Sequence, residues 1–330
     1  MPAPRPDWLD LVREPTLEPD LPICDPHHHL WTHPENRYMA AELHADLTSG
    51  HNVVSTVFVE CTSGYRPDGP EAFRPVGETR FVEEATGEAP DSKITLAAGI
   101  VGFADLSLGD RVRPVLEAHL EASGRFRGIR HACSWDPSPA IRNAHTNPPP
   151  RLYLDAAFRK GFAHLAPLGL SFDAWLYHPQ IPELTDLARA FPDTALVLDH
   201  VGGPLGIGPY AGQRETVVPE WKAAIDALAL CPNVCVKLGG LVMPANGFRW
   251  HKQPEPPGSE RLAGVLEPYF HYCIERFGPD RCMFESNFPV DKVSCSYNVL
   301  WNAFKRLASG FSTEEKTALF HDTAARFYRL

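Results

Sequence analysis

Leu21-Pro22-Ile23-Cys24-Asp25-Pro26-His27-His28-His29-Leu30-Trp31 is a short apolar strand that runs into a cluster of histidines. Side chains alternate along a strand, so Asp25, His27 and His29 are expected on one face. Two imidazoles two residues apart at a strand end can converge on one metal ion, or on one substrate oxygen. Elsewhere such a pair would read as a surface turn. Its place at the end of a first strand gives it weight.

The same unit, a short apolar strand followed by a helical stretch, repeats along the chain. Further strands read as 53–61, 94–103, 126–131, 170–176, 195–200, 234–238 and 281–284. They are nearly continuously apolar, as strands buried on both faces are. Amphipathic helices read most clearly at 111–122, 155–168, 183–191, 220–230, 261–277 and 297–307. A last helix opens at Ser312 with Glu315 three residues on, the spacing of a capping box. About eight such repeats give either a barrel or a doubly wound sheet. No glycine-rich phosphate loop follows the first strand, so no nucleotide cofactor is expected. The expected fold is α/β, a (β/α)8 TIM barrel with insertions in its C-terminal βα loops.

Pro and Gly gather at 64–76, 136–151, 202–212 and 243–259, each directly after a strand. In a barrel these are the mouth loops, where specificity is built. Residues 21–330 read as one barrel domain and residues 1–20 as an N-terminal arm. That arm would wrap the barrel or reach a neighbour, so a homo-oligomer stays open. A length of 330 residues fits one barrel with insertions. The formal charge of −10, from 31 basic and 41 acidic residues, excludes a general nucleic-acid binder. Residues 1–20 hold no apolar run and no signal peptide is expected. No stretch approaches the roughly 18 apolar residues of a membrane span. Eight scattered cysteines without a paired CxxC read as reduced, buried thiols of a cytoplasmic protein.

Polar groups recur at the strand ends. Glu60 ends the second strand and Arg130 the fourth, with His131 beside it. His178 follows the fifth, after Tyr177. His200 ends the sixth, Lys237 lies in the seventh, and Asn287 follows the eighth. Singly, each reads as a satisfied structural group. Together they stand where barrel enzymes keep their catalytic residues. Trp31, Trp135 and Trp175 could wall the site or merely pack. Lys237 could serve the site or pair with Glu60 or Glu285.

On these residues the chain resembles the lactonase branch of the amidohydrolase superfamily, which holds 2-pyrone-4,6-dicarboxylate lactonase, sulfomuconolactone hydrolase and the sugar-acid lactonases. Asp25, His27, His29 and Trp31 match the opening motif. Arg130 matches the arginine strand, His178 the fifth-strand histidine, and Asp199 to Pro204 the Asp-His-x-Gly-x-Pro stretch. Lys237, Gly239 and Gly240 match the lysine segment, and 323–330 approximates the family's ending. The resemblance runs from about residue 21 to the end and implies a hydrolase that opens a small carboxylated or sugar-acid lactone by water attack on the ring ester carbonyl. It implies His27, His29, His178, His200, Asn287 and Asp291 as catalytic candidates, and Arg130, Glu60, Lys237, Trp31 and Tyr177 as substrate contacts.

The family's eighth-strand aspartate, which activates water, is replaced here by Asn287, in Glu285-Ser286-Asn287-Phe288-Pro289-Val290-Asp291. An amide hydrogen-bonds a water but does not take its proton. Asp291, Glu285, His178 and His200 are the alternative bases. His27, His29 and His178 could hold a zinc or manganese ion with an open position for water. Without metal, the same histidines and Arg130 would polarise the carbonyl. The competing functions are a metal-dependent decarboxylase or hydratase of the same superfamily, and a non-catalytic binding protein that kept the fold.

Overall fold

The computed structural model describes residues 3–33, 36–87 and 93–330. Residues 1 and 2 of the arm lie outside that description. Eight parallel strands form one sheet in sequential order. They are β1 (Pro22–His28), β2 (Asn52–Val59), β3 (Thr95–Gly102), β4 (Phe126–Arg130), β5 (Ser171–Ala174), β6 (Leu196–Leu198), β7 (Val234–Leu238) and β8 (Cys282–Phe284). The sheet curls until the segment after β8 meets β1. His29 N donates to Phe288 O at 2.8 Å, and Asn287 N to His27 O at 2.9 Å. The expected TIM barrel is therefore present, nearly closed.

β5 and β6 stop earlier than their apolar runs suggest. After β6 the chain turns sharply, with His200 and Val201 both at positive φ (55° and 48°). A β-branched residue there is strained. Three elements were not expected from the sequence: a hairpin of Trp31–His33 with Asn36–Tyr38, and the helices Ala40–Leu47 and Val76–Gly87. The capping box is present, with Ser312 Oγ accepting from Glu315 N at 3.2 Å.

Apolar packing divides in two. One cluster lies between sheet and helices. A smaller one fills the lower barrel: Cys24, Val57, Val59, Val101, Val197 and Met283, closed from below by Ala324, Phe327 and Tyr328 of the C-terminal helix. On three of the strands the side chain two residues further along the same inward face is charged, because the strand period is two. Val197 is thus followed by Asp199, Cys235 by Lys237, and Met283 by Glu285. The lower barrel is a dry plug, and the upper barrel a buried charged layer.

The N-terminal arm lies along the barrel. Trp8 Nε1 donates to Pro254 O at 3.0 Å, Ser259 N to Glu14 Oε1 at 2.7 Å, and Leu17 N to Asn302 Oδ1 at 2.8 Å. All eight cysteines are free thiols. Among the described residues no helix is long and apolar enough to cross a membrane.

Tyr328 joins the plug to the charged layer through a 2.6 Å bond from its hydroxyl to Asp173 Oδ2. Tyr328→Phe removes that donor from a buried carboxylate, so urea unfolding should show a loss of about 1–3 kcal/mol.

Candidate active site

Asp173 of β5, fully buried, starts the charged layer. Lys237 Nζ lies 2.7 Å from Asp173 Oδ2 and 3.1 Å from Asp199 Oδ1. Burial alone would strip the Lys237 proton, but the two carboxylates outweigh it and raise its pKa. Asp173 is pushed up to about 6 by burial and by Asp199, against the pull of Lys237. Lys237 thus pairs with Asp173 and Asp199, not with Glu60 or Glu285.

Glu60 pairs instead with Arg130. Arg130 Nε reaches Glu60 Oε1 at 2.8 Å, and an Nη2 bond goes to the Glu60 carbonyl. Its other arm lies 3.3 Å from His27 Nε2 and 3.8 Å from Asp199 Oδ2. With one edge held by Glu60, the guanidinium is no free fork for a substrate carboxylate.

Glu285 sits between two histidines. Its Oε1 is 2.6 Å from His200 Nδ1, and its Oε2 is 2.8 Å from His27 Nδ1, the second contact off-line for a hydrogen bond. Burial first, then Lys237, holds His27 well below the usual imidazole range, so it is neutral. His200 turns an Nδ1 proton to Glu285, whereas cationic donors approach both nitrogens of His27, Lys237 Nζ at 3.1 Å from Nδ1 and Arg130 at 3.3 Å from Nε2. Gly239 and Gly240 make the room. A Cβ on Gly239 would lie 2.3 Å from Glu285 Cγ, and one on Gly240 2.3 Å from His200 Nδ1.

His27, Asp199 and His200 offer ligand atoms that all lie within 4.8 Å of one another, the one such group among the described residues. The fit to a divalent ion rests on two observations. Both Asp199 oxygens are buried without a hydrogen-bond donor, since Lys237 approaches at a poor angle. A carboxylate behind both histidines is also the usual support of metal-binding imidazoles. The expected three-histidine set does not assemble. His29 Nδ1 is bound to the Val59 carbonyl at 2.7 Å, with its ring stacked on Trp31. His178 turns to the 202–212 loop, where its Nδ1 accepts from Leu205 N at 3.3 Å and its ring meets Tyr210. Burial lowers it to about 4.

Other expected residues have local roles. Tyr177 hydroxyl bonds the Arg142 carbonyl. Asp25 does not share the face of His27. A register shift between Asp25 and His28 turns it toward the barrel seam, where it accepts from Ser286 N at 2.9 Å and Tyr297 hydroxyl at 2.9 Å. Asn287, at φ 55°, donates to Asp291 Oδ1 at 3.1 Å. Burial, then Glu285, raises Asp291 well above the carboxylate range. The sequence reading missed Asp173, whose signal was a charge inside an apolar strand, and His145, which carries no periodic signal.

A cavity of about 790 Å³ opens beside this layer, lined in part by Thr62, Tyr65, Phe103, Asp105, His131 and His145. It joins the centre through His145, whose Nε2 is 3.2 Å from Glu60 Oε2. Its lining includes the carboxylates Glu71 and Asp105 and no lysine or arginine.

A family model described as amidohydrolase matches residues 24–330. An uncharacterised protein of Sinorhizobium fredii is 34% identical over 94% of this chain and 99% of its own. An L-fucono-1,5-lactonase of Burkholderia multivorans is 30% identical, over 71% of this chain and 72% of its own. The crystal structure of a zinc-bound amidohydrolase from Burkholderia multivorans superposes with a TM-score of 0.73 at 25% identity, covering 93% of this chain and 99% of that one.

Lys237→Met would leave Asp173 and Asp199 buried and unpaired. Denaturant unfolding should show a loss of about 3–5 kcal/mol, and a loss under 1 kcal/mol would deny the lysine its central place.

Proposed function

The chain belongs to the amidohydrolase family, and we propose that it opens a small, uncharged, polyhydroxylated lactone by water attack on the ring ester carbonyl. One observation carries the substrate class. The cavity beside the charged layer combines apolar walls, four prolines among them, with hydroxyls, two histidines and the carboxylates Glu71 and Asp105, its lining holds no lysine or arginine, and the Arg130 fork is already held by Glu60. A dicarboxylate would be repelled there, whereas a sugar-acid lactone finds hydrogen-bond partners. The name of the Burkholderia multivorans relative, an L-fucono-1,5-lactonase, agrees with that class.

In this reading the lactone carbonyl faces His27 and His200, with its hydroxylated body in the cavity. Arg130 keeps a guanidinium nitrogen 3.3 Å from His27 Nε2, where it stabilises the negative charge that develops on the carbonyl oxygen. Glu285 takes the proton of the attacking water on Oε2, the oxygen without a hydrogen-bond donor. It replaces, from two residues earlier, the carboxylate that Asn287 lacks. Asp291 holds its own proton more tightly, with burial and Glu285 both favouring its neutral form. His27, Asp199 and His200 would hold a zinc or manganese ion, which when bound polarises a carbonyl and acidifies water. Glu285 fixes the ring orientation of His200 with or without that ion.

Glu285→Gln should lower kcat on an aldonolactone by about 10²–10⁴ in a pH-stat assay, the range of general acid–base catalysis. Asp291→Asn should cost less than about tenfold, since burial and Glu285 both favour its protonated form and so make its carboxyl the less available base. The reverse ranking would move the base to Asp291. Elemental analysis should find about one zinc or manganese per chain, and chelation should lower Tm, because an ion bound by the folded state stabilises it. A Tm that ignores both chelator and added metal would remove the ion from this site.

A further inference from the structure

We propose that His145 is the general acid that protonates the ring oxygen as it leaves. The inference rests on the lactonase reading above and adds a residue from the mouth loop at 136–151 to it.

His145 stands at the boundary between the charged layer and the cavity. Its side chain is 33% exposed, whereas that of Glu60 beside it is fully buried. Arg130 Nε donates to one Glu60 oxygen at 2.8 Å, and His145 Nε2 lies 3.2 Å from the other as an ion-pair contact, off the hydrogen-bond line. Glu60 is ionised: burial pushes it up, but Arg130 and His145 outweigh burial and hold it at about 2. The step requires the imidazolium of His145: its Nε2 proton stays beside the ionised carboxylate, and its Nδ1 proton is the one given to the substrate. This is the division of labour of a carboxylate-oriented catalytic histidine, reached here from a mouth loop. The Phe103 ring lies edge-on at 6.2 Å and walls the imidazole.

The neighbouring groups are poor donors for this proton. Arg130 is held by Glu60, and Lys237 by Asp173 and Asp199. Burial lowers His131, on the same cavity wall, to about 4. A neutral imidazole has no second proton to give near neutral pH. In the pose of the lactonase reading the ring oxygen lies between the carbonyl carbon and the hydroxylated body, and His145 both borders Glu60 and lines the cavity that would hold that body.

The step balances as follows. The water oxygen bonds to the carbonyl carbon, and one water proton passes to Glu285 Oε2. The tetrahedral oxyanion collapses and the ring carbon–oxygen bond breaks, its electron pair staying on the ring oxygen. That oxygen takes the proton from His145 Nδ1 and becomes the hydroxyl of the product. Glu285 returns its proton to solvent and His145 regains one, so the net change is addition of one water.

His145→Ala and His145→Gln should each lower kcat on an aldonolactone by about 10²–10⁴ with KM within a few-fold, because general acid catalysis spans that range. Imidazole at tens of millimolar should restore the Ala variant at least about tenfold, since the vacated site borders an open cavity, and should leave the Gln variant unchanged. A kcat within about threefold of wild type in either variant, or an Ala variant that imidazole does not rescue, would overturn the assignment while leaving the lactonase reading intact. A wild-type protein that hydrolyses no aldonolactone would overturn both.

Discussion

A lysine ammonium held wholly inside the barrel, between Asp173 and Asp199, is the interaction on which the site depends. An unpaired charge at that depth is costly, so Lys237 requires both carboxylates, and they require it. The requirement propagates. Asp173 is steadied from below by Tyr328, which ties the end of the chain to the reaction centre. Asp199 is shared with Arg130, which is shared with Glu60, which is shared with His145. Each link orients the next without a loop having to do so alone, as a preorganised site requires.

The charges in this layer do not cancel. Lys237 and Arg130 supply two positive charges, while Asp173, Asp199, Glu60 and Glu285 supply four carboxylates, all six buried. Two negative charges remain to be offset by protons or by a divalent cation. The raised pKa of Asp173 is the first response, and the unbonded oxygens of Asp199 beside His27 and His200 are the second. Backbone strain at His200 and Val201 accompanies this arrangement, and the two glycines after β7 give Glu285 and His200 the space to meet.

Much of the fold was legible because two-sided burial leaves short apolar runs that stand out from amphipathic helices. The eight barrel strands follow those runs closely. The exceptions are physical. β6 ends three residues after it starts, because Asp199 and His200 must turn into the site. Asp25 leaves the face of His27 because a register shift breaks the alternation on which the reading relied. The presence of polar groups at strand ends was legible, but their pairing was not. Whether Lys237 meets Glu285 or Asp173 depends on which strands lie opposite across the barrel. His178 could not be separated from His200 by sequence, since both follow apolar strands, and only the turn after each decides where the ring points. The exchange of aspartate for Asn287 was legible as a loss. The position of Glu285 follows from the inward face that it shares with Met283.

The most direct test of the account is hydrolysis of an aldonolactone in ¹⁸O-labelled water, with the product weighed and fragmented by mass spectrometry against an enzyme-free control. Water attack on the ring carbonyl predicts one label per turnover, in the carboxylate, at a rate that rises with enzyme concentration. Label in the hydroxyl, or a rate no faster than the control, would contradict it.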